Sequence, residues 1–286
     1  MTIRNPVEWS ADGVAAAVDS VRETAHAMRR PMGAYDERPI ALRRIGFSDL
    51  GDALREGLDD FAHLRSDVFA IALIYPLAGL VIATIAFNAS LLHLLFPMVA
   101  GFALLGPFAA IGLYEASRRR EAGLRARWSN MIDAFVSPAA AAIWTLGLIL
   151  TALYLAWLLC AWALHAAIMG PDLPTSSTAF ANEILTTPRG WTMILVGCGV
   201  GAGFAVAALS ISVISFPLLL DRKVTVGRAI ETSVRAVREN PAVMLGWGAI
   251  VAGSLALGAA PALLGLIVVM PVLGHATWRL YRKIVV

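Results

Sequence analysis

Long apolar runs alternate with short polar segments along most of the chain. A bilayer core of about 30 Å is crossed by roughly 20 helical residues. Runs of that length occur at six places, over residues 68–88, 91–114, 138–168, 191–220, 241–259 and 262–281. The pattern predicts an all-α, polytopic transmembrane helix bundle with six spans. We expect a membrane domain over 48–286, preceded by a cytoplasmic N-terminal arm over 1–47.

The basic residues orient these spans. Hydrophobic residues make up 58% of the chain and charged residues only 15%. With six spans, the two termini and the loops after spans 2 and 4 lie on one side of the membrane. These segments contain 22 of the 23 Lys and Arg, and only Arg189 falls in a loop on the other side. Because cytoplasmic loops carry an excess of Lys and Arg, we expect both termini to be cytoplasmic.

Amphipathic stretches precede the odd-numbered spans, over 48–67, 127–135 and 226–240. Their apolar positions recur every three or four residues, as in a helix with one apolar face. The apolar stripes of the first and third stretches are Leu50, Leu54, Leu58 and Phe61, and Ile230, Val234 and Val237. Such helices lie in the headgroup plane, so we predict interfacial helices before spans 1, 3 and 5.

Each even-numbered span carries a proline before a basic exit, and we predict helix kinks at Pro107, Pro217 and Pro271. The order of interfacial helix, span and proline-bearing span then occurs three times. Two interpretations remain open: a true threefold repeat, or the general likeness of polytopic proteins. In the arm, the segment 14–28 is also amphipathic, and its apolar stripe must pack on the membrane, on the protein itself or on a partner.

Ionisable residues within spans are the first places to look for function. His275 lies near the cytoplasmic end of span 6, and Asp221 and Glu115 end spans 4 and 2 on the same side. We predict a small buried polar cluster of His275 with Asp221 or Glu115. A structural hydrogen bond and a proton relay are both compatible with such a cluster.

Two more histidines, His93 and His165, fall near the outer ends of spans 2 and 3. They are interpreted as interfacial residues, and a bis-histidine haem is the alternative. Cys160 and Cys198 lie in apolar runs, without the spacing of zinc sites or disulfide frameworks. We expect no metal site, no bound cofactor and no catalytic residue set.

Span 4 contains glycines at alternate positions that form overlapping small-xxx-small motifs. Such motifs let another helix approach closely, within the chain or in a partner. We predict a helix-packing face at Gly197, Gly199, Gly201 and Gly203. The basic loops fit lipid headgroups rather than nucleic acid, so the expected partners are membrane lipids and a homo-oligomer or larger membrane complex.

Several segments carry a more specific resemblance. They are Ile45–Leu50, Phe96–Pro107, Gly112–Glu115, Ser215–Arg222 and Pro271–Trp278. Together they resemble a family of uncharacterised bacterial integral membrane proteins of unknown function, some of them labelled as cytochrome c oxidase subunits. The resemblance runs from about Arg44 to the C-terminus and implies an inner (plasma) membrane location. A catalytic oxidase subunit needs more membrane histidines than this chain has, so the label implies at most an accessory subunit.

The sequence thus favours a non-enzymatic membrane protein that acts through interaction, as an accessory subunit or a homo-oligomeric scaffold. The alternative is a transporter or channel for a small or lipid-like solute, which the proline-bearing spans would suit. A membrane enzyme acting on lipid is a third hypothesis, for which we find no nucleophile or metal set with suitable neighbours.

Overall fold

The computed structural model describes residues 39–88, 91–124, 126, 128–170 and 176–286. These residues are helical except for connecting segments and an isolated antiparallel bridge between Leu42 and Val285. The predicted all-α class is therefore confirmed. The amphipathic segment 14–28 and the loop residues 89–90 and 171–175 lie outside the described residues.

Thirteen α-helices are formed by the described residues. In chain order they are α1 Phe47–Ala72, α2 Ile74–Asn88, α3 Leu95–Phe102, α4 Gly106–Ala109, α5 Ile111–Glu121, α6 Trp128–Asp133, α7 Ala140–Ile168, α8 Ser177–Thr186, α9 Pro188–Ser212, α10 Ser215–Asp221, α11 Val226–Glu239, α12 Pro241–Ala259 and α13 Leu266–Ile284. Short 3₁₀ helices at Leu92–Leu94, Ala103–Leu105 and Ala134–Val136 join some of them.

Four helical stretches of the described chain are long and apolar enough to cross a membrane. They are Leu92–Glu121, Ala140–Ile168, Pro188–Asp221 and Pro241–Ala259. The other two predicted spans have a different character. Residues 68–88 are divided at Leu73 between α1 and the 15-residue α2. Helix α13 is apolar in its first half but ends in the basic residues Arg279, Arg282 and Lys283.

Two of the long stretches are interrupted just before a proline. The 3₁₀ turn Ala103–Leu105 precedes Pro107, and a turn at residues 213–214 precedes Pro217. A proline lacks the N–H that a continuous helix needs. At the second interruption the backbone N–H of Ile214 donates to Ser233 Oγ of α11, 3.2 Å away. Pro271, in contrast, lies within the uninterrupted helix α13.

Helices α1 and α13 pack against each other along much of their length. The residues of α1 that face the protein interior recur every three or four positions. They are Leu50, Ala53, Gly57, Asp60 and Leu64. The predicted stripe is offset from this face: Leu50 is buried, but Leu58 is 51% exposed. Ala53 and Gly57 in the middle of this face allow the helix backbones to come close together. The first predicted interfacial stretch is thus most of a longer helix that packs on protein.

The other two amphipathic stretches differ in length. Helix α11 is a separate helix, as predicted, and Thr225 Oγ caps it by accepting from the backbone N–H of Arg228 at 3.2 Å. Its buried face again carries small side chains, Ala229, Thr232, Ser233 and Ala236. The middle stretch is only the six-residue α6 followed by a 3₁₀ turn. All three pack against other helices of the chain.

The two ends of the described chain meet. The backbone N–H of Arg43 donates to the carbonyl of Ile284 at 2.8 Å, and that of Val286 donates to the carbonyl of Ala41 at 3.2 Å. The segment that leads into α1 is therefore fixed to the end of α13 by backbone hydrogen bonds.

Candidate functional site

A buried carboxylate, Asp60, lies where three helices converge. It comes from α1 and is fully buried, with an exposed fraction of 0%. Ser117 and Arg120 of α5 approach it from one side, and His275 and Arg279 of α13 approach it from the other. We call these five residues the Asp60 cluster.

Both carboxylate oxygens of Asp60 are engaged. Arg279 binds them with two hydrogen bonds, from Nε to Oδ2 at 2.8 Å and from Nη2 to Oδ1 at 2.7 Å. Arg120 Nη1 also donates to Oδ1, and Ser117 Oγ donates to Oδ2 at 2.7 Å. Paired arginine bonds of this kind are stronger and more directional than neutral hydrogen bonds. The cluster therefore joins α1, α5 and α13 through one charge.

These contacts also set the ionisation of Asp60. Burial by itself would raise the pKa of its carboxyl group. The hydrogen bonds from Arg279, Ser117 and Arg120 and the positive charge of Arg279 outweigh burial, and the pKa of Asp60 lies below its ordinary value. Asp60 is thus ionised at neutral pH, as the counter-ion of two arginines.

His275 extends the cluster toward the core. Its Nδ1 lies 2.8 Å from Ser117 Oγ. Because Ser117 gives its hydrogen to Asp60, Nδ1 must be the donor in this second bond, which leaves Nε2 as the unprotonated nitrogen of a neutral imidazole. Nε2 is buried and has no hydrogen-bond partner among the described residues. The order Asp60–Ser117–His275 differs from a hydrolytic triad, in which the histidine lies between the acid and the serine.

Two glycines make the convergence possible. A Cβ atom at Gly57 would lie 2.6 Å from the backbone nitrogen of Ala276, and one at Gly274 would lie 2.5 Å from Leu113 Cδ1. Both distances are below van der Waals contact, so a larger residue at either position would push the helices apart. The small residues bring α1 and α5 against the stretch of α13 that carries His275.

Further ion pairs surround the cluster at the same end of the bundle. Lys283 Nζ donates to Glu56 Oε1 at 2.8 Å, which joins α13 to α1 again. Glu121 accepts from Arg282 at 2.9 Å and from Trp278 Nε1 at 3.0 Å. Several basic residues at this end of the bundle are therefore paired with carboxylates of neighbouring helices.

The three residues of the predicted cluster have separate partners. His275 contacts Ser117 as described above. Glu115 accepts hydrogen bonds from Arg118 and Arg119 of its own helix, at 2.7 to 3.0 Å. Asp221 accepts from the hydroxyl of Tyr281 at 2.6 Å. A buried polar group near the end of span 6 is present, and its acid is Asp60.

The sequence analysis does not single out Asp60, because it lies in a stretch predicted to be an interfacial amphipathic helix. A signal was nevertheless present. Asp60 follows Ala53 and Gly57 by seven and three residues, so it shares their helix face. A column of small residues indicates a close helix contact, and a carboxylate in that column needs a partner inside the protein.

The glycines of span 4 divide into two groups. A Cβ atom at Gly201 would lie 3.1 Å from the ring of Trp157, so this position packs within the chain. A Cβ atom at Gly199 or Gly203 would have no other atom of the described chain within 4 Å, and one at Gly197 would meet only the end of Met193 at 3.9 Å. Part of the predicted packing face is therefore open.

The fold and these helices define an all-α, multi-pass integral membrane protein. Residues 95–221 match the model of a family described as "Predicted integral membrane protein (DUF2189)", and the chain is similar to that family over this stretch. No curated protein and no solved structure matches the chain. The matched stretch contains Ser117 and Arg120 of the Asp60 cluster, while Asp60, His275 and Arg279 lie outside it.

Proposed function

We propose that this protein is a non-catalytic accessory or scaffold protein of a bacterial inner membrane, acting through association with other membrane proteins or with copies of itself. It crosses the membrane six times with both termini in the cytoplasm. A respiratory oxidase, the label attached to some proteins that it resembles, is the first partner to test.

The exposure of span 4 is the observation that carries this proposal. In the most apolar part of Pro188–Asp221 only 6% of the residues are buried, compared with 28% for Ala140–Ile168 and 22% for Pro241–Ala259. Lipid can cover such a helix. The open glycines Gly199 and Gly203, however, remove side-chain bulk from one face, and in membranes this favours a second helix over lipid chains.

Two further segments support the six-span topology. Helix α13 has an apolar first half that would enter the hydrocarbon core and a basic second half that would leave it on the cytoplasmic side. Helix α2 is shorter, but it continues from the apolar end of α1 after a break at Leu73. With six spans, the charged Asp60 cluster lies on the cytoplasmic side.

The test is purification of the full-length protein from native membranes in mild detergent, followed by identification of co-purifying proteins and optical spectroscopy of the same sample. We expect a defined complex, either with other membrane proteins or between copies of this chain. Oxidase subunits and haem absorbance in the peak would support the oxidase as partner. A solitary, colourless monomer would refute the proposal.

A matched pair of substitutions on α9 tests the surface. The double variant Gly199→Leu/Gly203→Leu should lose the complex, because leucine fills the space that a second backbone needs. Ala205→Leu is the control, since Ala205 is also exposed but lies on another face of α9. Equal loss of the complex in both variants would show that the glycine face is not the contact.

A transporter for a small or lipid-like solute is the second candidate. It is favoured by the chain of hydrogen bonds from Asp60 through Ser117 to Nδ1 of His275, whose Nε2 has no partner among the described residues. Such a chain has the arrangement of a proton relay. Reconstituted vesicles that carry a pH-sensitive dye would test it: proton flux that is abolished by His275→Gln would favour transport over the scaffold role.

A further inference from the structure

His93 and His165 form a pair of buried ionisable residues that is separate from the Asp60 cluster. His93 belongs to the 3₁₀ turn Leu92–Leu94, which begins the long apolar stretch Leu92–Glu121, and His165 lies in the last turn of α7. The ring centroids are 4.6 Å apart with an angle of 40° between the ring planes. Both residues are buried, with exposed fractions of 5% and 6%.

One ring nitrogen of this pair lacks a hydrogen-bond partner among the described residues. A buried imidazole normally has partners for both of its ring nitrogens. His93 Nδ1 is buried, and no described residue forms a hydrogen bond with it. A buried imidazole nitrogen without a hydrogen-bond partner, beside a second imidazole, is an arrangement that a metal ion can complete.

The distance between the rings limits what can bind. Metal–imidazole bonds are about 2.0–2.1 Å long, so two imidazoles on one tetrahedral ion have centroids about 5 Å apart. Two axial imidazoles of a haem lie on opposite faces of the porphyrin, with centroids about 6 Å apart and the macrocycle between them. The observed centroid distance of 4.6 Å is close to the first value and too short for a porphyrin between the rings.

We propose that His93 and His165 form a two-imidazole site for a first-row transition-metal ion that prefers nitrogen ligands, such as Zn²⁺, Ni²⁺ or Cu²⁺. No third His, Cys, Asp or Glu completes the set among the described residues, so water or an external ligand fills the remaining positions. The carboxylate of Glu183 on α8 lies within electrostatic range of His165 and offsets part of the charge of the ion.

The experiment uses Co²⁺ as a spectroscopic probe and full-length protein in mild detergent, purified without a polyhistidine tag. The background carries His26→Ala and His63→Ala, so that other histidines outside the spans do not contribute. We expect saturable binding of one Co²⁺ per chain with visible absorption bands, and displacement of Co²⁺ by Zn²⁺. His93→Ala and His165→Ala should each weaken binding by at least about tenfold.

His275→Ala serves as the control, because it removes a buried histidine elsewhere and should leave Co²⁺ binding intact. Where an alanine variant fails to fold, the corresponding glutamine variant replaces it, and the melting temperature without metal shows that the protein is folded. Binding that is unsaturable, or that persists unchanged without His93 and His165, would overturn the proposal.

Discussion

The substitution Asp60→Asn tests whether one buried charge holds three helices together. It keeps the size of the side chain but leaves Arg120 and Arg279 without their common counter-ion. Removing one partner of a buried ion pair destabilises a protein by about 3–5 kcal/mol. Because the side chains of Arg279 and Arg120 are 17% and 26% exposed, water can partly solvate them, and we expect the lower end, about 3 kcal/mol.

The assay is thermal unfolding in mild detergent, followed by tryptophan fluorescence. Trp278 is a suitable reporter because it is 1% exposed and lies one residue from Arg279. A loss of about 3 kcal/mol corresponds to a fall of roughly 5–10 °C in the melting temperature of a chain of this size.

The matched control is Asp59→Asn, which removes the neighbouring carboxylate. Asp59 also accepts from Arg120, at 2.7 Å, but its side chain is 58% exposed. Exposed ion pairs contribute about 0–1 kcal/mol, so this variant should melt close to the wild type. Equal melting temperatures for the two variants would refute the view that Asp60 organises the helix junction.

Two other predictions concern the same junction. The pKa of Asp60 is lower in the folded protein than in the unfolded chain, where it is about 3.9. The ionised carboxylate therefore stabilises the folded state fully above about pH 3.9, and this stabilisation is lost as the pH falls through the pKa of the folded protein. The gap in melting temperature between wild type and Asp60→Asn should therefore narrow from pH 7 to pH 3, and a constant gap would contradict this assignment. Gly57→Ala should lower the melting temperature because its Cβ would meet the backbone of Ala276 at 2.6 Å. Gly51→Ala is the control, because a Cβ atom at this position of the same helix would have nothing within 4 Å. This variant should have an unchanged or higher melting temperature, since alanine stabilises a helix relative to glycine by up to about 1 kcal/mol. A lower melting temperature for both variants would contradict the packing argument.

The helical class and the membrane character follow directly from the sequence, because long apolar runs have few other stable solutions. The packing of the amphipathic helices was harder to predict. The apolar stripe of α1 was assigned from large side chains, yet the buried face is set by Ala53 and Gly57. In α11 the buried face likewise includes Ala229 and Ala236 rather than the large residues of the predicted stripe. Small residues allow close helix contacts, but their low hydrophobicity makes a buried face built from them hard to recognise in the sequence.

The sequence also indicates only part of the candidate site. The sequence draws attention to His275 as an ionisable residue near the end of an apolar run. In the structure its hydrogen-bond chain leads to Asp60, which precedes it by more than two hundred residues. Nothing local in the sequence pairs α1 with α13, and the choice among the acidic residues near one membrane face depends on helix neighbours. The approach of His93 to His165 could be anticipated, since both were expected at the same depth.

The pairing of α1 with α13 has a consequence for biosynthesis. The carboxylate of Asp60 emerges from the ribosome long before Arg279, and the segment at Ala41 long before Val286. Until the last helix has been made, Ser117 and Arg120 of α5 can reach Asp60, but the two hydrogen bonds from Arg279 are missing. The complete junction therefore forms only after α13 has been made, because this last helix supplies both Arg279 and the backbone hydrogen bonds to Ala41 and Arg43.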